Sequence, residues 1–79
     1  MNLSILYFGM IAEAVEQTTE NWISVESLTV AELRSQLLEK YPILRDRKFQ
    51  IAVNQQIVED SLTVPAQAEI ALLPPFAGG

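Results

Sequence analysis

The sequence predicts a small α+β domain in which one amphipathic helix packs on one face of a small mixed sheet. Two observations support this fold class. Runs of β-favouring residues precede and follow a single amphipathic helical segment, and a helix with one apolar stripe needs a sheet face to cover it. The chain has 79 residues, which suits one domain with one core. Residues 1–73 are predicted to form this domain and residues 74–79 an extended tail.

The first strand is predicted over residues 3–8, a mostly apolar run that ends at Gly9. Because side chains alternate along a strand, this run has two distinct faces. One face carries Leu3, Ile5 and Tyr7, and the other carries Ser4, Leu6 and Phe8. The serine marks the second face as the more hydrated one.

Three short elements are predicted before the helix. They are a helical turn over residues 11–15, a polar loop over residues 17–21 and a second strand over residues 22–25. Thr29 and Glu32 are spaced as a capping box, in which each side chain bonds the other residue's backbone N–H at a helix start. The helix is predicted from Val30 to Lys40 and ends before Pro42. Its apolar stripe consists of Val30, Leu33, Leu37, Leu38 and Tyr41.

Three further strands are predicted after the helix, over residues 49–53, 57–58 and 69–73, with a turn at 54–56. In the last strand, Ile70 and Leu72 share one face, and Ala71 and Leu73 share the other. Since one helix covers only one face of the sheet, apolar residues of the other face are left for a partner. The first candidates for this interaction surface are Phe8 and Leu73, with Leu6 and Ile57 behind them. The alternative is a small apolar cluster beneath the tail.

The tail combines a stiff start with a slender end. Pro74 and Pro75 end sheet pairing and hold the chain extended, and Phe76 adds an apolar side chain that a partner can contact. Gly78 and Gly79 have no Cβ atoms, so they can enter a narrow slot. From Phe76 onward the tail reaches at most about 13 Å. We therefore expect a reactive arm that ends in the carboxylate of Gly79, and the alternative is a frayed terminus.

Composition disfavours several classes of function. The chain has no Cys and no His, so it lacks a thiolate nucleophile and the usual general base, and no metal site is expected. A net charge of -5 opposes nucleic-acid binding, and the single basic cluster, Arg45, Arg47 and Lys48, is interpreted as a solvated turn. With no apolar run of about 18 residues and no secretory signal, we expect no membrane contact and a cytoplasmic location.

The chemistry that remains is that of the Gly79 carboxylate. A carboxylate is a poor electrophile, so it needs activation by a partner. Joined to AMP from ATP, it becomes a mixed anhydride that a sulfur or amine nucleophile can attack. Because this intermediate hydrolyses readily, the reaction requires a closed pocket that excludes water.

The chain resembles the small subunits of molybdopterin synthase, sulfur carriers with the ubiquitin-like β-grasp fold. The resemblance covers nearly the whole chain, and its most specific part is the ending Pro74-Pro75-Phe76-Ala77-Gly78-Gly79. The segments Leu6-Tyr7-Phe8 and Ala52-Val53-Asn54-Gln55 are similar to the family as well.

The resemblance implies a mechanism and a set of partners. Gly79 would be adenylated by a ubiquitin-activating-like adenylyltransferase and converted to a thiocarboxylate, with ATP used by that partner and no cofactor bound stably here. The tail would then enter the large synthase subunit, where its sulfur builds the dithiolene of molybdopterin from a cyclic pyranopterin monophosphate, in a heterotetramer of two small and two large subunits. The reactive residues would be Gly78 and Gly79. The partner-binding residues would be Phe8, Ile57, Leu73, Pro74, Pro75, Phe76 and Ala77.

Two positions depart from the family pattern. Ala12 precedes Glu13 where the family often carries arginine, and residues 64–68 replace the usual acidic-glycine turn before the last strand. Neither change touches the tail. Other functions remain open at this point: a sulfur carrier for thiamine or tRNA thiolation, a ubiquitin-like protein modifier, or a non-catalytic interaction module.

Overall fold

The structure is a computed structural model and describes residues 2–24 and 26–75. Five strands, two α-helices and one 3-10 helix follow one another along these residues. They are β1 (Asn2–Tyr7), α1 (Gly9–Val15), β2 (Thr19–Ile23), α2 (Val30–Lys40), the 3-10 helix (Pro42–Asp46), β3 (Gln50–Val53), β4 (Gln56–Ile57) and β5 (Glu69–Leu73). None of these helices combines the length and hydropathy that a membrane span needs.

The strands form one mixed sheet in the order β2-β1-β5-β3-β4. β1 and β5 are parallel to each other, and the remaining strand pairs of the sheet are antiparallel. This arrangement, with the helical layer on one face, confirms the predicted β-grasp class of α+β fold. Because β5 has a partner strand on each side, the tail leaves the domain from a firmly held strand rather than from an edge.

The core lies between the sheet and α2. The predicted parity of β1 is confirmed, since its core-facing residues are buried whereas Ser4 is exposed. Those buried residues are Leu3, Ile5 and Tyr7. α2 adds a buried stripe of Val30, Leu33 and Leu37, with Leu38 and Tyr41 packed at its margin.

α2 begins at the predicted capping box. The Glu32 N–H donates to the Thr29 hydroxyl at 3.2 Å, and the Thr29 N–H donates to the Glu32 carboxylate at 2.8 Å. The helix ends at Lys40, before Pro42, as predicted. Its position over the sheet is therefore specified by local signals at both ends.

The segment before α2 differs from the prediction. β2 begins at Thr19, so the polar loop predicted over residues 17–21 is wrong in its second half. Residues 19–21 pair with β1 as an edge strand, and an edge strand with one solvated face tolerates polar residues. The strand ends at Ile23. Val25, which the prediction included, lies outside the described residues.

Two other elements are longer or more regular than predicted. The helical turn predicted over residues 11–15 is a two-turn helix that starts at Gly9, with Phe8 as its extended N-cap residue. The turn predicted after α2 contains the 3-10 helix, which starts at Pro42 and buries Leu44 completely. Proline suits the first position of a helix because its fixed φ is helical and its missing N–H is not needed there.

Candidate functional site

A row of apolar residues crosses the sheet face that the helices leave uncovered. Strand register pairs Leu6 of β1 with Ala71 of β5, Ala71 with Ala52 of β3, and Ala52 with Ile57 of β4. Directly paired residues lie on the same face of a sheet. The two alanines are small and stand between Leu6 and Ile57 in this row, and Ala52 is buried.

The four residues predicted for an interaction surface lie on this open face. Phe8 and Ile57 are 44% and 53% exposed, while Leu6 and Leu73 are half-buried. Phe8 continues the extended backbone of β1, so it keeps the parity of Leu6. None of the four belongs to the core cluster formed by the described residues. We call Leu6, Phe8, Ile57 and Leu73 the open-face patch, and their role in partner binding stays a prediction.

The base of the tail lies at the Phe8 end of this patch. The Phe8 N–H donates to the Leu72 carbonyl at 3.3 Å, which extends the pairing of β1 and β5 up to the tail. Gly9 follows with φ +55, and a Cβ built on it would lie 3.3 Å from the Pro74 side chain. A residue without Cβ therefore allows the first tail proline to pack closely against the start of α1.

The rest of the predicted tail site lies beyond the described residues. Pro74 is half-buried and Pro75 is exposed, which agrees with an exit from the domain at this point. Phe76, Ala77, Gly78 and Gly79 are not among the described residues, so their predicted roles stay predictions.

The turn after β3 places Ile57 on the open face. Asn54 and Gln55 both have positive φ, 50 and 72, as a two-residue hairpin turn requires. The Asn54 backbone N–H donates to the Glu69 carbonyl at 2.8 Å, and its side-chain oxygen accepts from the Glu69 N–H at 3.0 Å. Asn54 therefore ties the hairpin to the start of β5, a structural role for one residue of the 52–55 motif.

A polar cluster around Glu20, which the sequence-based prediction missed, lies on the opposite face of the sheet. The Tyr7 hydroxyl donates to the Glu20 carboxylate at 2.8 Å, and the Tyr41 hydroxyl donates to the same carboxylate at 2.6 Å. Lys40 pairs with the same carboxylate, and the Gln17 amide donates to the Tyr41 hydroxyl at 2.5 Å. The Glu20 side chain is only 14% exposed. Alternation from Trp22 would have placed Glu20 on the core face, had the strand been predicted to start at Thr19.

The pKa values of this cluster follow from burial and from these bonds. Burial acts to raise the pKa of Glu20, but donation from Lys40, Tyr41 and Tyr7 outweighs it and lowers the pKa to about 2. Burial and the neighbouring carboxylate raise the pKa of Tyr7 and of Tyr41 above the ordinary tyrosine value. The hydrogen bond that Lys40 donates to Glu20 raises the pKa of Lys40. At neutral pH the cluster is a fixed ion pair that joins β2 to the end of α2.

Within residues 2–24 and 26–75, no three His, Cys, Asp or Glu side chains are grouped so that they could hold a metal ion. The Glu20 carboxylate is already occupied by its three donors and lies away from the open face. What the arrangement can do is present a tail beside an exposed apolar patch.

Comparison with known sequences identifies close relatives. The family model described as "ThiS family" matches residues 5–79. The chain is 39% identical over 82 residues to the "Molybdopterin synthase sulfur carrier subunit" of Mycobacterium tuberculosis. This match covers 100% of the chain and 99% of the relative.

Solved structures share the fold. The chain superposes with a TM-score of 0.88 on "Putative molybdopterin converting factor, subunit 1" from Pyrococcus furiosus, at 15% identity over 96% of this chain and 99% of that one. It also matches a chain in the "Protein-protein complex of subunit 1 and 2 of Molybdopterin-converting factor" from Helicobacter pylori, with a TM-score of 0.70 and 23% identity over 100% of both chains.

Proposed function

This chain belongs to the ThiS family, and from that premise we propose that it is the sulfur carrier subunit of a molybdopterin synthase. The observation that carries the proposal is the place where the tail leaves the domain. The tail leaves at the end of β5, beside Phe8 and Leu73 of the open-face patch. A partner that covers the patch can therefore receive the tail at the same time. The full-length similarity to a sulfur carrier subunit supports the same function.

The proposed reaction begins at the Gly79 carboxylate. A carboxylate oxygen attacks the α-phosphorus of ATP on an activating adenylyltransferase, pyrophosphate leaves, and an acyl adenylate forms. Hydrosulfide from the sulfur source then attacks the acyl carbon and AMP leaves, so the carrier ends in a thiocarboxylate. We propose a cytoplasmic location for this step because it consumes ATP. The nucleotide belongs to the activating partner.

The second partner in the proposal is the large synthase subunit. Its docking on the open-face patch removes apolar surface from water and brings the tail to the large subunit's active site. There the thiocarboxylate sulfur bonds to a cyclic pyranopterin monophosphate, and water hydrolyses the resulting acyl–sulfur bond, which restores the Gly79 carboxylate. A second carrier in the thiocarboxylate form supplies the other sulfur of the molybdopterin dithiolene. Two small and two large subunits form the complete synthase in this proposal.

Intact-protein mass spectrometry tests the proposal directly. The full chain is incubated with ATP, magnesium, a sulfur source and the activating adenylyltransferase of the same organism. We expect a mass increase equal to one oxygen replaced by one sulfur, localised to Gly79. The control is a chain that lacks Gly79, which should still bind the large subunit but show no such increase. An unmodified wild-type chain in the presence of an active adenylyltransferase would count against sulfur carriage.

A further inference from the structure

A second surface, distinct from the open-face patch, begins at the base of the tail. Two adjacent depressions between α1 and the 3-10 helix share Met10 and Arg47 as lining residues. The part next to the tail has a volume of about 230 Å³ and is bounded also by Asp46, Lys48, Pro74 and Pro75. The outer part has a volume of about 450 Å³. We call this surface the tail-base groove.

Two exposed apolar side chains line the groove. Met10 is 61% exposed and Ile43 is 47% exposed. A flexible methionine can adapt its shape to a partner, and Met and Arg are both enriched at protein interfaces. The groove therefore offers apolar contact area immediately beside the two tail prolines.

The two cations that line the groove form no ion pair within the described part of the domain. The ion pairs among residues 2–24 and 26–75 join Arg34 to Asp60 and Lys40 to Glu20, and neither Arg47 nor Lys48 takes part in one. The two cations outnumber Asp46, the acidic residue that lines the same depression, so this part of a chain with a net charge of -5 still favours an approaching carboxylate.

Charge also changes sign along the groove. In the part next to the tail, Arg47 and Lys48 outnumber the acidic Asp46, whereas in the outer part Glu13 and Glu16 outnumber Arg47. A complementary segment would carry acidic residues where it meets the tail and basic residues at its other end, with apolar side chains between them. This pattern defines both the chemistry and the direction of the occupant.

We propose that the tail-base groove is a second docking surface for the large synthase subunit and binds an amphipathic segment of that subunit with its acidic end at Arg47 and Lys48. This inference rests on the proposed function. The groove starts at Pro74 and Pro75, and a subunit that encloses the tail has to pass these residues. Its contact with the groove is thus continuous with its contact with the tail, and the tail base is held from the helical side as well as from the open face.

Charge reversal with a matched control tests the groove. The test variant is the full chain with Arg47→Glu and Lys48→Glu, and the control is Arg45→Glu, which changes a neighbouring cation that borders a different depression. In titrations with the purified large subunit, we expect the double variant to bind about 10-fold more weakly and with a smaller dependence on salt. The control should stay close to wild type. Thermal melting of each variant checks that the fold is intact.

The outcomes separate this inference from the proposed function. If the wild-type chain acquires the thiocarboxylate while the double variant and the control bind the large subunit equally well, the groove inference is wrong and the carrier function stands. A defect confined to adenylation would assign the groove to the activating enzyme and overturn the choice of occupant. Self-association of the wild-type chain that the double variant lacks would assign it to a second copy, with the same consequence. Absence of the thiocarboxylate in wild type would instead refute the function itself.

Discussion

At the scale of single residues, Glu20 shows how burial and hydrogen bonding compete. Its carboxyl has an ordinary pKa of 4.5 and, in the folded chain, a pKa of about 2, because three donors outweigh burial. The folded state therefore binds this proton more weakly than the unfolded state does. The resulting stabilisation is fully present above pH 4.5 and is lost as the pH falls toward 2.

Replacing Glu20 with Gln tests this account. The change removes the ion pair with Lys40 and weakens the bonds from both tyrosines, so we expect a loss of roughly 1 to 3 kcal/mol of unfolding free energy at neutral pH. The acid-dependent loss of stability between pH 4.5 and 2 should become smaller. Urea titrations at several pH values measure both effects. The control is Glu59→Gln, an exposed carboxylate, and equal behaviour of the two variants would contradict the role given to Glu20.

Residue placement on β1 and β5 could be predicted because the period of a strand is two. Once Leu3 and Ile70 are assigned to the core face, the positions of Phe8 and Leu73 follow without any tertiary information. The same alternation from Trp22 applies to Glu20, but the prediction put residue 20 in a loop, and the partners of its carboxylate could not be predicted at all. Its partners Tyr41 and Lys40 come from the far end of α2, and no local pattern records that contact.

At the scale of elements, the capping box makes a separate prediction for α2. Thr29→Ala removes the acceptor for the Glu32 N–H, so we expect a loss of about 1 kcal/mol of unfolding free energy. Ser35→Ala is the matched control, since it removes a hydroxyl from an exposed position inside the same helix and should be neutral or slightly stabilising. Chemical denaturation of both variants measures the difference. A Thr29 variant as stable as the Ser35 variant would show that the cap contributes little.

The elements that were predicted correctly carry their own boundaries in the sequence. α2 has a capping box at its start and Pro42 after its end, so tertiary contacts had little to add. β2 has no such signal. Its first three residues are polar, and they form a strand only because β1 offers a pairing edge. The 3-10 helix was likewise predicted as a turn. Pro42 at its first position was a local signal for a helix start, but the burial of Leu44 became apparent only in the folded chain.

At the scale of the whole molecule, the fold brings three features to one end of the sheet. The tail leaves from β5, which β1 and β3 hold on both sides. Phe8 and Leu73 lie on one side of this exit, and the tail-base groove lies on the other. The sequence predicted the patch and the tail separately. It did not predict the groove, because α1 and the 3-10 helix meet there only in the folded chain.

This geometry predicts that the two ends of the open face differ in their effect on binding. Phe8→Asp places a charge beside the tail exit, where docking would desolvate it, so affinity for the large subunit should fall by roughly 10-fold or more. Ile23→Asp makes the same chemical change on a residue that is 82% exposed, at the opposite end of β1, where it pairs with Asn2. Both side chains are exposed, so both variants should melt near the wild-type temperature. Because only the Phe8 end adjoins the tail, only the Phe8 variant should lose affinity in a titration. Equal losses would mean that the partner covers the whole face, and unchanged affinity of both variants would mean that it docks elsewhere.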